Sequence, residues 1–367
     1  MNLKKLFYKK KVIVTGHTGF KGSWLSLWLK IYGAKVIGIS NNVPSNPSHF
    51  KALNLKKNII HKELDIRNLK GLKKVFLKYQ PDFVFHLGAQ ALVKKSYSDP
   101  IYTWQTNTIG TLNVLESLRL LKKKCVAVLI TSDKSYKNLE VQRGYHENDI
   151  LGGKDPYSAS KASAELVIQS HISSFFQKEN SRVIIGTARA GNVIGGGDWS
   201  DNRLIPDCVK SWSKNKKVII RSPKSTRPWQ HVLEATWGYF VLAAYLKKNN
   251  IYHGEAFNFG PNTRNYKVIS LVQLIEKYWK GISWKVVKKS KKDFHESDLL
   301  KLNCNKSKSK LKWSSILSFK ETIKMSVDWY KEYYSNSKGV YMTSSNQIKF
   351  YQDLLKKRLY KSKKSKI

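Results

Sequence analysis

Short apolar runs bounded by turn residues recur along the first half of the chain, and segments with helical spacing separate them. The strand-like runs are Lys11-Val-Ile-Val14, Ala34–Ser40, Ile59–Leu64, Asp82–Leu87, Val126–Thr131 and Arg182–Thr187. Helical segments lie at Ser23–Leu29, 68–79, 100–121 and 156–178, with further ones at 231–247 and 270–280. Short apolar strands alternating with helices predict an α/β fold: a Rossmann-type, doubly wound parallel sheet. After about residue 190 the rhythm breaks, and Gly195-Gly-Gly197 with prolines at 206, 223 and 228 predicts loops and short elements. Residues 1–190 are therefore read as the Rossmann domain and 191–340 mainly as a smaller C-terminal lobe over the strand ends. Segments near 231–262, Ala256-Phe-Asn-Phe259 among them, are expected to return to the main sheet. Residues 341–367 are expected to form a basic, solvated tail.

One turn stands out in this pattern. Thr15-Gly-His-Thr-Gly-Phe-Lys-Gly22 sits between the first strand and the first helix, with Gly16, Gly19 and Gly22 three apart. A glycine turn in that context lets a pyrophosphate approach the backbone and rest on a helix N-terminus. A plain strand-to-helix turn without a ligand is the competing reading, and the context disfavours it.

Composition narrows the classes. No apolar run of membrane-spanning length occurs, and the basic first ten residues lack a signal-peptide core. Cys125, Cys208 and Cys304 are odd in number and far apart, which suits ordinary thiols in a reducing cytoplasm. The net charge of +42 raises the question of nucleic acid. It is mostly lysine spread along the whole chain, without a basic recognition motif, so no specific nucleic-acid function is expected. Attraction of anionic substrates is the milder consequence. His17, His86 and His231 have no metal-ligand spacing, and no metal is expected.

Tyr157-Ser-Ala-Ser-Lys161 places a phenol and an ammonium one helical turn apart. A neighbouring ammonium favours the phenolate, so Tyr157 can take a hydroxyl proton while hydride leaves the same carbon. Lys161 can also hold a nicotinamide ribose. Thr131-Ser-Asp-Lys134 closes the fifth strand, where α/β folds put chemistry. Ser132 suits a partner for a substrate hydroxyl, with Asp133 and Lys134 as an acid/base pair beside it. On the residues alone, an ordinary strand exit explains this stretch equally well.

Thr15-Gly-x-x-Gly-x-x-Gly22 followed by Tyr157-x-x-x-Lys161 resembles the extended short-chain dehydrogenase/reductases. Further stretches narrow the resemblance to the sugar-nucleotide epimerases and dehydratases, and within them to 4,6-dehydratases acting on CDP-glucose. They are Thr15–Leu25, Thr131–Lys134, Asp155–Ala162, Ala188–Trp199, Arg203–Asp207 and Arg227–Glu234. The resemblance runs from about residue 10 to about 335 and leaves out the last thirty or so.

What the resemblance implies is a retained NAD and a three-step reaction on the small molecule CDP-glucose. Tyr157 removes the 4-hydroxyl proton as hydride leaves C4, water is lost across C5–C6, and hydride returns to C6. Ser132 matches the tyrosine's hydroxyl partner, and Asp133 protonates the departing oxygen. Related dehydratases carry a glutamate base where this chain has Lys134, so its role as base or as electrostatic stabiliser stays open. The product serves deoxysugar synthesis for surface polysaccharides such as O-antigen. A 4-epimerase shares the glycine turn, Tyr157 and Lys161 but needs no elimination pair.

Position suggests the remaining contacts. Gly16, Gly19, Phe20 and Gly22 cradle the cofactor, Asp65 and Ile66 meet the adenine, and Leu87, Ala89 and Gln90 line the nicotinamide path. Ser40 stands where many NAD folds place an acidic residue for the ribose, and residues 39–43 hold no Arg or Lys for a 2′-phosphate. NAD therefore rests on the resemblance. Arg203 and Arg227 suit the CDP pyrophosphate, and Asn192 a sugar or phosphate oxygen. The resemblance also implies a homodimer, or a dimer-based tetramer, through helices 100–121 and 156–178.

Overall fold

A computed structural model describes residues 2–177, 181–201, 203–220, 222–261, 266–287 and 300–364. Seven strands form the main sheet: β1 (Lys11–Thr15), β2 (Lys35–Ser40), β3 (Ile60–Glu63), β4 (Phe83–His86), β5 (Cys125–Ile130), β6 (Val183–Ala190) and β7 (Ala256–Phe259). Their order is β7-β6-β5-β4-β1-β2-β3, and every pairing is parallel. The order reverses between β1 and β4. That is the switch point at which open α/β sheets bind ligands.

Alternation along the strands feeds two separate cores. Val12, Val14, Phe83, Phe85, Val126 and Val128 face one side, whereas Ile13, Val84, Ala127 and Leu129 face the other. The first side is covered by α1 (Phe20–Ile31) and the second by α2 (Leu69–Tyr79), α3 (Gly110–Leu118) and α4 (Pro156–His171). Asp155 caps α4 through its carboxylate, which accepts from the Ser158 backbone N–H at 3.0 Å, and Pro156 supplies the first helical residue. This cap sets Tyr157 in the first turn of α4.

Beyond β6 come α5 (Leu204–Trp212), α6 (Val232–Lys248), α7 (Val268–Tyr278), α8 (Phe319–Ser335) and α9 (Val340–Lys364). The sixth helix, apolar almost all round, packs on the sheet beside α1, and β7 closes the sheet's edge. Three two-stranded ladders lie over the strand ends: 193–194 with 230–231, 226–227 with 266–267, and 218–220 with 284–286.

The C-terminal segment departs from expectation. It is a helix, not a solvated tail, and Val340, Ile348, Tyr351 and Leu355 are buried along one face of it. Tyr351 donates to Glu234 on α6 at 2.6 Å, and Trp329 on α8 donates to Ser344 at 2.8 Å. The Glu234 carboxylate also accepts from the Ile316 and Leu317 backbone, and burial pushes its pKa up to about 7. The dense lysines that follow these positions, from Lys356 onward, hid this face from a reading of charge alone. Among the described residues, no helix is long and apolar enough to cross a membrane.

Candidate active site

The glycine turn fits a dinucleotide closely. Gly16 adopts φ +71°, and a side chain there would press within 2.8 Å of the Gly88 backbone across the switch point. A β-carbon on Gly22 would collide with the Gly16 carbonyl oxygen. Gly19 caps α1 without any side-chain hydrogen bond, so the first N–H groups of a twelve-residue helix face the strand ends. The cradle is therefore shaped for a phosphate group. Gly22→Ala is expected to weaken NAD binding by about 100-fold, or ~2.7 kcal/mol, by opening the turn. Nicotinamide released from the purified variant measures this.

Around the turn, Thr15 and His86 pair at 2.7 Å, and the Gly88 N–H donates to Thr15 at 3.1 Å. His86 and His231 are held neutral by burial, with pKa values near 3 in each case, and His17 at about 4. His17 pairs with His61 at 2.8 Å, and His231 accepts from the Leu233 N–H.

The contacts expected of the cofactor sort unevenly. Ser40 bonds Thr18 at 2.7 Å beside a cavity of about 350 Å³ that Asn42, Phe50, Lys51 and His61 also line. This is the strand end where dinucleotide folds place the adenosine ribose. Asp65 is engaged by Arg67 at 2.8 Å and by Asn41 at 3.0 Å. Burial pushes its pKa up, but the Arg67 bonds outweigh this and leave it below the usual range. Ile66 packs under Gly88 and Gly110. Leu87 and Ala89 stay half-buried at the switch point, and Phe20 opens α1. Gln90 differs from expectation: its amide braces its own loop, donating to Leu92 at 3.0 Å and Thr103 at 2.9 Å.

The two halves of the expected catalytic set come together at the end of β5. Ser132, Asp133 and Lys134 form a tight 3-10 turn that packs against α4. The Ser132 hydroxyl donates to Asp133 at 3.0 Å and also reaches the Tyr157 phenol. Burial pushes the Asp133 carboxyl up, with Lys134, Ser132 and Lys21 opposing. Burial also pushes the Tyr157 phenol up, although the residue spacing led us to expect it near neutrality. The Ser132 bond and Arg203 pull it back, and desolvation outweighs them.

Lys161 is 6% exposed. Burial first, then the Lys21 charge, bring its pKa down to about 8, with Glu165 opposing. Lys161 acts as an ammonium and loses its proton as pH rises through that value. Activity is therefore expected to fall on the alkaline side with an apparent pKa near 8, where an ordinary lysine would hold to about 10.4. A pH profile of kcat/KM checks this.

Lys21 is the site residue that the sequence reading missed as a participant. Its ammonium stands among Asp133, Asp198 and Arg203, and burial, then Arg203, lower its pKa to about 8. The available signal was its place in the first turn of α1, between Gly19 and Gly22. One arm of Arg203 is engaged: it donates to Asp198 at 3.0 Å beside the Tyr157 phenol. Tyr330 of α8 holds Asp198 in turn, donating to its carbonyl at 2.6 Å. Asn192 lies half-buried after β6, and its carbonyl accepts from the Gln230 N–H at 3.0 Å. Arg227 lies half-buried in the 226–227 ladder and donates to the Thr226 carbonyl at 2.8 Å.

The profile of the GDP-mannose 4,6-dehydratase family matches residues 13–326. The chain belongs to this family. Within it, the chain is 42% identical to CDP-glucose 4,6-dehydratase of Salmonella typhimurium, over 89% of this chain and 92% of that one. An epimerase from Methanothermobacter thermautotrophicus superposes with TM-score 0.79 at 25% identity, covering 92% of this chain and 96% of that one. A UDP-glucuronic acid 4-epimerase from Bacillus cereus, solved with UDP-glucuronic acid and NAD, has the same fold. Its TM-score is 0.74 at 22% identity, covering 88% of this chain and 99% of that one. The family is one of NAD-dependent sugar-nucleotide enzymes, and the glycine cradle of this chain fits that cofactor. The profile ends within α8, so the C-terminal helix lies outside it.

Proposed function

We propose that this protein converts CDP-glucose to CDP-4-keto-6-deoxyglucose and water. The observation that carries the reading is the Ser132-Asp133-Lys134 turn set against Tyr157 and Lys161, which adds an elimination pair to an oxidation pair. Identity to the Salmonella enzyme over nine-tenths of the chain supports the choice of substrate.

NAD, when bound, supplies the reversible two-electron acceptor for the sugar. Tyr157 takes the proton of the C4 hydroxyl, and Ser132 orients that hydroxyl. Lys161 holds the phenolate by its charge. Asp133, whose pKa burial raises, gives a proton to the C6 oxygen as it leaves. Asp133 and Lys134 run the elimination together, Lys134 acting on the C5 proton or on the charge developing at the C4 oxygen. The C5 proton and the C6 hydroxyl depart as water. The hydride taken from C4 is restored at C6, and a proton equivalent to that taken from the C4 hydroxyl is restored at C5, so the net change is loss of one water.

The lobe formed mainly by 191–340 holds the sugar nucleotide. Asn192 and Arg227 suit its polar groups, and Arg203, paired with Asp198 beside Tyr157, belongs to the sugar end. Exposed Ile101, Trp104, Ile109, Leu166 and Phe175 on the helical segments 100–118 and 156–176 support a dimer through that surface. A 4-epimerase reading shares Tyr157 and Lys161 but leaves Asp133 and Lys134 without a task. Incubation with CDP-glucose followed by alkali separates the two, because only the 4-keto-6-deoxy product develops strong absorbance. Formation of a CDP-hexose epimer without that absorbance would overturn the reading.

A further inference from the structure

Beneath the candidate site lies a buried ion pair that the proposed reaction does not use. Arg189 on β6 and Glu165 on α4 are each only 1% exposed. Two parallel bonds join them: Arg189 Nε to Oε1 and Nη2 to Oε2, both at 2.8 Å. The Thr131 hydroxyl donates to the same Oε1. Arg189 Nη1 donates to the Tyr136 hydroxyl at 2.7 Å and to the Glu147 carbonyl at 2.8 Å. Tyr136 donates onward to Asn258 of β7 at 2.8 Å.

The connectivity is informative. Thr131 and Tyr136 flank the Ser132–Ser135 turn on both sides, and both terminate on this pair. Tyr157, Lys161 and Glu165 follow one another at four-residue spacing and share one stripe of α4. The elimination residues and the oxidation residues are thus fastened to a single buried carboxylate–guanidinium unit. Burying such a pair is costly, and an apolar replacement would serve packing as well. A positional task explains its presence.

We infer that Glu165, locked by Arg189, is the positioning residue that holds the Ser132-Asp133-Lys134 turn in register with Tyr157 and Lys161 and places a carboxylate one helical turn from Lys161. This rests on the reaction proposed above. Three groups bear on the Lys161 ammonium: Lys21 from α1, His86 from β4, and Glu165 from its own helix. Among them Glu165 is the carboxylate that favours the protonated form. Charge removal at 165 therefore makes Lys161 lose its proton at lower pH.

Three variants of the full chain, loaded with NAD, test this. Thr131→Val removes one hydroxyl at nearly constant volume. It is expected to lower kcat about ten-fold with KM and pH profile unchanged, and Thr131→Ser restores the rate. Glu165→Gln is expected to move the alkaline limb of kcat/KM down by about one pH unit. Competitive acetylation of Lys161 across pH, read by mass spectrometry without substrate, is expected to show the same displacement. Wild-type kcat in Thr131→Val, or an unmoved Lys161 titration in Glu165→Gln, overturns the inference. Should Glu165→Gln not fold, the two Thr131 variants decide. An inactive wild-type protein would remove the proposed reaction instead, while the acetylation measurement still judges the effect of Glu165 on Lys161.

Discussion

Lys134→Ala is expected to stop product formation while oxidation at C4 survives. The variant loses a side chain that stands next to Asp133 in a tight turn after β5. Oxidation needs Tyr157, Ser132 and Lys161, none of which the change touches. Elimination needs a proton removed at C5, a proton delivered at C6, and charge stabilised at the C4 oxygen. Removing a positioned acid/base or charge-stabilising group costs about 10²–10⁴-fold in rate. Rapid mixing with CDP-glucose should therefore reveal reduced nicotinamide building up on the enzyme, with little or no 4-keto-6-deoxy sugar. If Lys134→Ala turned over at the wild-type rate, the lysine would have no part in elimination. Asp133→Asn should share the block, because an amide cannot deliver a proton to the leaving oxygen.

The largest effect on stability is expected from Arg189→Met. The substitution leaves the Glu165 carboxylate in a buried setting, with the Thr131 hydroxyl as its remaining partner. It also strips a partner from the Tyr136 hydroxyl and from the Glu147 carbonyl. Breaking one side of a buried ion pair costs about 3–5 kcal/mol, because the remaining charge is uncompensated. Urea unfolding monitored by fluorescence should show that loss. Pairing it with Glu165→Leu should recover most of the stability, since two apolar side chains avoid the stranded charge. Recovery of stability without recovery of activity would separate the pair's contribution to folding from its contribution to alignment.

Much of this architecture was visible in local pattern. The seven sheet strands, the glycine turn, and the Tyr157–Lys161 spacing each express a constraint that acts within a few residues. Such constraints leave periodic or spaced signatures. What stayed hidden depends on contacts between distant segments. Lys21 belongs to the site because α1 aims its first turn at β5 and at the loop after β6, which bring Asp133 and Asp198 near it. Arg203 looked like a diphosphate ligand, and only the fold delivers Asp198 to it. Glu165 and Arg189 are 24 residues apart and meet only when α4 packs against the sheet. The last helix was hidden differently: its buried face was present at helical spacing, but the dense lysines after it suggested solvent.

The net charge fits the same picture. An excess of 42 positive charges did not gather into a recognition motif, and the site itself pairs its cations with carboxylates. Lys21, Lys161 and Arg203 crowd one small volume, where a substrate diphosphate and a cofactor pyrophosphate would be favoured.

The most direct measurement is incubation of the purified protein with CDP-, UDP-, GDP- and dTDP-glucose in parallel, with products identified by mass spectrometry. The account predicts that CDP-glucose loses the mass of one water, and that the protein-bound nicotinamide ends the reaction in its oxidised form. An unchanged mass for CDP-glucose, or water loss from a different nucleotide sugar alone, would contradict it.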